Sequence, residues 1–264
     1  IFFRSKTRFP PVSFRSTMNE IAIRLQNISK TFSVYEKDTG SIREKVFHFF
    51  KPNHLRQIQA LQNINLEIER GEFFGIIGRN GSGKSTLLKI IMGAFQPDPG
   101  GSVEVDGRMI RLALGMGFDP ELSARDNIYL NASLLGLSFK QIGQRFDEII
   151  EFAELENFVE TKVKYYSSGM YSRLAFSVAV HAQADIFLMD EFFGGVGDSR
   201  FREKSEAVFQ KSLVEGRTIV HVGHNMEQIR QHCHRVLLLD YGVPIGIGEP
   251  EEMIEEYAKL MEHP

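Results

Sequence analysis

Residues Gly78-Arg79-Asn80-Gly81-Ser82-Gly83-Lys84-Ser85-Thr86 fit the pattern G-x-x-x-x-G-K-[ST], and few patterns constrain a fold so tightly. The glycines let the backbone turn its N–H groups inward around an anion, and a helix opening at the lysine adds the positive end of its dipole. Such a loop works only between a buried strand and that helix. Both flanks comply: Glu72 to Ile77 is a run suited to a buried strand, and Lys84 to Phe95 is helical in pattern until Pro97, Pro99, Gly100 and Gly101 close it. The loop predicts a nucleoside triphosphate site. Gly78, Asn80, Gly81, Ser82 and Gly83 would shape the cradle, Lys84 would reach the β- and γ-phosphates, Ser85 would ligate Mg²⁺, and Thr86 would add a phosphate contact.

Such a site also needs a carboxylate at the end of a neighbouring buried strand, and Ile186-Phe187-Leu188-Met189-Asp190-Glu191 supplies two acids there. Adjacent side chains at a strand end point apart. Asp190 is therefore assigned to Mg²⁺ through water, and Glu191 to polarising the attacking water as a general base.

The remaining pattern is α/β. Ile186 to Met189 and Thr218 to Val222 are short β-rich runs separated by the helical pattern of Phe201 to Val214, which implies a mainly parallel sheet with helices on its faces. Ile21 to Leu25 and Leu61 to Ile68 alternate with period two, Val103-Glu104-Val105 before Asp106-Gly107 signals a hairpin, and a last hairpin turns at Tyr241-Gly242. Helical periodicity from about Asn127 to Phe158 predicts an inserted helical lobe, placed at about 120–180, and an acidic helix ends the chain. Ser41 to Lys51 predicts an amphipathic helix, with Ile42, Val46, Phe49 and Phe50 on one face and a Ser41/Glu44 capping box.

Bulk properties narrow the function. The net charge of -3 across 264 residues argues against a dedicated nucleic-acid binder, which concentrates basic residues against phosphates. The single cysteine, Cys233, cannot form an internal disulfide and is expected to be a packing residue of a helix. No apolar run has the length to span a bilayer. Residues 1–17 are basic and contain Pro10-Pro11; they read as a disordered extension ahead of a domain spanning 18–264.

Tyr165-Tyr166-Ser167-Ser168-Gly169-Met170-Tyr171-Ser172-Arg173, followed by a helical LAFSVAVHA, resembles the signature sequence of ABC transporter ATPases, and its Y-S-S-G-M form resembles polysaccharide exporters. The resemblance runs from about Met18 to the end. It implies a P-loop NTPase core with an antiparallel β subdomain and a helical signature lobe, and an ATP hydrolase that works as a homodimer. The amides of Ser167, Ser168 and Gly169 would form a second anion cradle; on a separate lobe it cannot reach its own phosphate loop, so it serves a partner's γ-phosphate. The resemblance also places a γ-phosphate-sensing histidine at His224 and an adenine-stacking aromatic at Tyr35, whereas His221 reads as structural. The 41–51 helix, Asn127-Ile128-Tyr129-Leu130-Asn131 and Gly117 to Leu122 resemble the subgroup exporting lipid-linked O-antigen or teichoic acid. ATP, Mg²⁺, a polytopic membrane subunit and a place at the cytoplasmic face of the cell membrane are implied; nucleic acid is not.

Three positions depart from the family. Asp119 stands where a glutamine normally contacts Mg²⁺, Phe192 to Asp198 is one residue longer than the usual link, and Gly223 replaces the serine ordinarily found before the histidine. Rival readings are a capsule exporter, an importer ATPase, or a soluble ABC ATPase of DNA repair or translation. The last normally carries two cassettes or long coiled coils, and this sequence shows neither.

Overall fold

The computed structural model describes residues 20–35, 55–112, 117–181, 184–190 and 216–262, with positions 201, 203, 204 and 207. The 1–17 extension, the 41–51 helix, Glu191 and the Phe192 to Asp198 link lie outside the described residues.

The large sheet is built from β3 (Phe73–Gly78), β5 (Met109–Leu112), β6 (Ile186–Asp190), β7 (Thr218–Val222), β8 (Arg235–Asp240) and β9 (Val243–Gly248). Their order is β5-β6-β7-β3-β8-β9, parallel except for the antiparallel edge pair β8-β9. β3 and β7 are buried along their whole length, which explains their unbroken apolar runs. Within β3 the side chains divide by pleat. Phe73 and Ile77 enter a core with Phe176, Phe187 and Ile229, while Phe74 and Ile76 enter a second with Leu25, Ile64, Leu87 and Leu237.

That second core lies against a small antiparallel sheet, β2-β1-β4, made of β1 (Ile21–Tyr35), β2 (Leu55–Glu69) and β4 (Ser102–Val105). β1 and β2 run far beyond the alternating segments read from sequence, pairing from Ile21 with Glu69 to Tyr35 with Leu55. Asn27 and Asn63 sit at positive φ where the register shifts, a conformation Asn tolerates better than most residues.

The expected hairpin at Val103 to Gly107 does not form. β4 joins the small sheet against β1, whereas β5 joins the large sheet beside β6, so Asp106-Gly107 hands the chain from one sheet to the other. Partners on both sides outcompete local closure: the Asp106 amide donates to Ala22 O at 2.9 Å and the Arg108 amide to Asp185 Oδ2 at 2.7 Å.

Between β5 and β6 the chain builds α2 (Ala124–Leu134), α3 (Phe139–Ala153) and α4 (Ser168–Val180) around their own core, including Ile128, Ile142, Phe146, Ile149, Leu174 and Val178. Local chemistry sets their starts. Ser123 accepts from the Asp126 amide, Ser138 and Gln141 form a reciprocal capping box, and Ser167 accepts from the Met170 amide at 3.2 Å. The short α5 (Met226–His232) and the terminal α6 (Pro250–Glu262) cover the large sheet through Ile229, Met253 and Ile254. Cys233 caps α5 from a buried site, where burial pushes its thiol up to about 12, and a Cβ on Gly75 would meet its Sγ at 2.9 Å. It fills space, as its lone occurrence predicts.

Candidate functional site

A cavity of about 420 Å³ opens at the C-terminal ends of β3 and β7, within the size range of small-molecule sites. Asn80 to Thr86 form one wall, Val222 and His224 come from the end of β7, Ile58, Gln59 and Ala60 from β2, and Tyr241 from the β8–β9 turn.

Two glycines explain the wall's shape. Gly78 has φ 148°, and a Cβ there would lie 2.1 Å from Leu239 O; Gly83 has φ 102°, and its Cβ would lie 2.6 Å from Ala60 O. The loop therefore rests directly on the backbones of β8 and β2. Helix α1 (Lys84–Ile91) begins at Gly83 with no side-chain cap and no acidic residue in its first turn. Its first amides are open to an anion, and the helix dipole points the same way. Lys84 is only 6% exposed, with Nζ donating to Gly78 O and Arg79 O at 2.7 Å each. A buried cation beside uncapped amides is a receptor for a multiply charged anion.

The β8–β9 turn locks this arrangement. The Gly242 amide donates to Ser82 O at 2.9 Å and the Gln62 amide to Gly242 O at 2.8 Å, so the Tyr241-Gly242 turn joins the loop to β2. In sequence Tyr241 reads as turn chemistry alone; its place on the cavity, like that of Ile58 to Ala60, arises from this long-range closure. No local signal announces it.

The other sequence-predicted residues lie at four separate places. Asp190 ends β6, but β6 does not adjoin β3: β7 lies between them, with Val222 in register with both Ile76 and Asp190. The expectation of a neighbouring strand is thus corrected by one strand, a backbone separation of about 10 Å. The intervening strand is the one that leads to His224, so histidine and carboxylate arrive from adjacent strand ends. Tyr35 ends β1 opposite Leu55. Ser167, Ser168 and Gly169 open α4 and do not line the cavity; both serines lie near the surface, and Gly169 has only Ser167 Oγ near its missing Cβ, at 3.9 Å. Asp119 does not line the cavity. Its Oδ1 accepts from the Glu121 amide at 2.8 Å and its backbone is held at both ends by Asn127, which makes it a turn former at the entry to α2.

The pattern of the ABC transporter family matches residues 61–194, a stretch holding the phosphate loop, the start of α4 and β6. The chain belongs to the ABC transporter family. An O-antigen export system ATP-binding protein RfbB from Klebsiella pneumoniae is 39% identical over 92% of this ABC chain and 99% of its own length. The teichoic acids export ATP-binding protein TagH of Lactococcus lactis is also 39% identical over 92% of this chain, which spans 52%, about half, of that relative's length. Among solved structures, the dimeric ATP-binding cassette MJ0796 in a post-hydrolysis state, bound to ADP and Pi, superposes with a TM-score of 0.64 at 26% identity, covering 86% of this chain and 98% of its own. The fold is an ABC ATPase cassette: a mostly parallel sheet, an antiparallel sheet and a helical lobe.

Proposed function

We propose that this cassette binds and hydrolyses ATP to drive export of a lipid-linked polysaccharide of the O-antigen or teichoic acid type, from the cytoplasmic face of the cell membrane. The observation that carries the ATP site is the cavity walled by Asn80 to Thr86 and His224, floored by the buried Lys84 ammonium. The choice of cargo rests on likeness to the RfbB and TagH export proteins over 92% of the chain.

Lys84 and the α1 amides would hold the β- and γ-phosphates, and Tyr35 would stack on the base, a contact tolerant of base identity. The oxygen donors Ser85, exposed at the cavity, and Asp190, at the end of β6, fit Mg²⁺, which takes one or two protein oxygens along with phosphate and water; when bound it neutralises phosphate charge. Glu191 would accept the proton of the attacking water, and His224 would contact the γ-phosphate from β7.

A second copy completes the site. Ser167, Ser168 and Gly169 are not among the residues lining this chain's own cavity and both serines are exposed, which supports a head-to-tail pair closing over two nucleotides. The membrane subunit would dock on the helical lobe, where Leu134 and Phe139 are 67% and 70% exposed. No helix among the described residues is long and apolar enough to cross a membrane.

Glu191→Gln tests the assignment: with ATP and Mg²⁺ the variant should elute as a dimer and turn over at least about 100-fold more slowly. Parental turnover would overturn the base assignment. Co-purification with a polytopic membrane protein, followed by ATPase assays with lipid-linked glycans, tests the cargo.

A further inference from the structure

We infer that Arg79 is a positioning residue tying the phosphate loop to the terminal helix α6, so that the seating of α6 sets how well the loop accepts nucleotide. The inference rests on the reading of the cavity as an ATP site and adds to it a route by which the C-terminal end of the cassette is felt at the phosphates.

Arg79 faces two ways. Its backbone belongs to the loop: Arg79 O accepts from Lys84 Nζ at 2.7 Å and from the Ser82 amide at 3.2 Å. Its side chain points out of the loop toward the C-terminal elements. One guanidinium nitrogen donates to Leu260 O, in the last turn of α6. Nε lies 3.6 Å from Asp240 Oδ1 at the end of β8, and the guanidinium carbon lies 6.0 Å from the Tyr241 ring centroid. Both members of the Arg79–Asp240 pair are largely shielded from water, at 18% and 16% side-chain exposure. The buried Arg79 Nε and Asp240 Oδ1 make an ion pair without a hydrogen bond. That geometry leaves the guanidinium's firmest hold on the Leu260 carbonyl rather than on the carboxylate.

A planar guanidinium clasped between a helix carbonyl, a carboxylate and a ring has few alternative placements. Displacing Leu260 therefore drags the Arg79 side chain, and with it the carbonyl that orients Lys84. α6 is seated on the sheet core by the buried Met253 and Ile254 and the half-buried Tyr257 and Leu260, and Glu251 is held by Arg230 of α5 at 2.6 Å.

The test is a double-mutant cycle on the full chain, read as ATP KM, kcat at saturating ATP and thermal midpoint. Arg79→Ala should raise KM by about fivefold or more while kcat at saturation stays within about twofold, the size of an ordinary coupling. Arg79→Lys, which keeps the charge near Asp240 but lacks the planar fork, should give an intermediate KM. Ile254→Ala, which loosens α6 without touching the loop, should raise KM alone and add less in the Arg79→Ala background than in the parent. An unchanged KM in either single variant, or effects that multiply in the double variant, overturns the link. Lys84→Ala in an ATP-binding assay separates the two readings, since full ATP binding by that variant would overturn the site itself and not merely the link.

Discussion

The ring of His221 occupies the space that a side chain at position 223 would need: a Cβ on Gly223 would come within 2.5 Å of His221 Nε2. His221 is only 1% exposed and stands edge-on to Phe73, with ring centroids 6.1 Å apart, so it has little room to yield. This accounts for the missing serine before His224. The two positions are one packing decision made at the end of β7.

Gly223→Ser alone should therefore destabilise the fold by about 1–3 kcal/mol, the usual cost of overpacking. His221→Val, which removes the ring and keeps a β-branched strand residue, should relieve part of that cost in the double variant. Urea midpoints of the four proteins measure the coupling, and strict additivity would refute the packing account.

The same histidine makes stability depend on pH. Burial, and secondarily the charge of His232, lowers its pKa from 6.5 to about 4. Below pH 6.5 the unfolded chain takes up a proton that the folded chain refuses until about pH 4, so the stabilisation is complete above pH 6.5 and is lost as pH falls through that window. The loss should reach the order of 3 kcal/mol at the acid end. Thermal midpoints between pH 7.5 and pH 4.5 should fall less steeply in His221→Val than in the parent.

Two glycines of one loop should respond differently to the same change. Gly78→Ala must push a Cβ into Leu239 O and should abolish folding or cost more than about 3 kcal/mol. Gly81 has φ 81° and nothing within 4 Å of where a Cβ would stand, so Gly81→Ala should fold with a penalty near 1 kcal/mol, that of the left-handed backbone. Circular dichroism melts separate the outcomes.

At the start of α4, Ser167 carries the cap and Ser168 does not. Ser167→Ala should cost about 1 kcal/mol, whereas Ser168→Ala should leave the melting curve nearly unchanged. Both should lower ATPase activity if this helix start faces a partner's nucleotide. Activity unaltered in Ser168→Ala, measured at a protein concentration that sustains dimers, would confine the segment to capping.

Much of this site is local chemistry and is readable as such. The loop from Gly78 to Thr86, the Ser138/Gln141 capping box and the buried runs of β3 and β7 all have causes within a few residues of themselves. Elements set by distant partners are not. The Asp106-Gly107 turn has hairpin composition, yet Ala22 O and the Asp185 carboxylate pull its two sides into different sheets. The insertion of β7 between β3 and β6 likewise follows from sheet order, which periodicity does not encode, and Tyr241 reaches the cavity only because Ser82 and Gln62 hold its turn there.

The helical lobe leaves the large sheet after Leu112, at the C-terminal end of β5, and rejoins it before Ile186, at the N-terminal end of β6. These strands are parallel neighbours, so the two junctions sit at opposite ends of one sheet edge, about 10 Å apart along it. Phe176, Ala179 and Val180 of α4 are buried in the same core as Phe73, Ile77 and Phe187 of the large sheet, so the lobe is fastened along α4 as well as at its two junctions, and any shift of Ser167 has to be accommodated by that core.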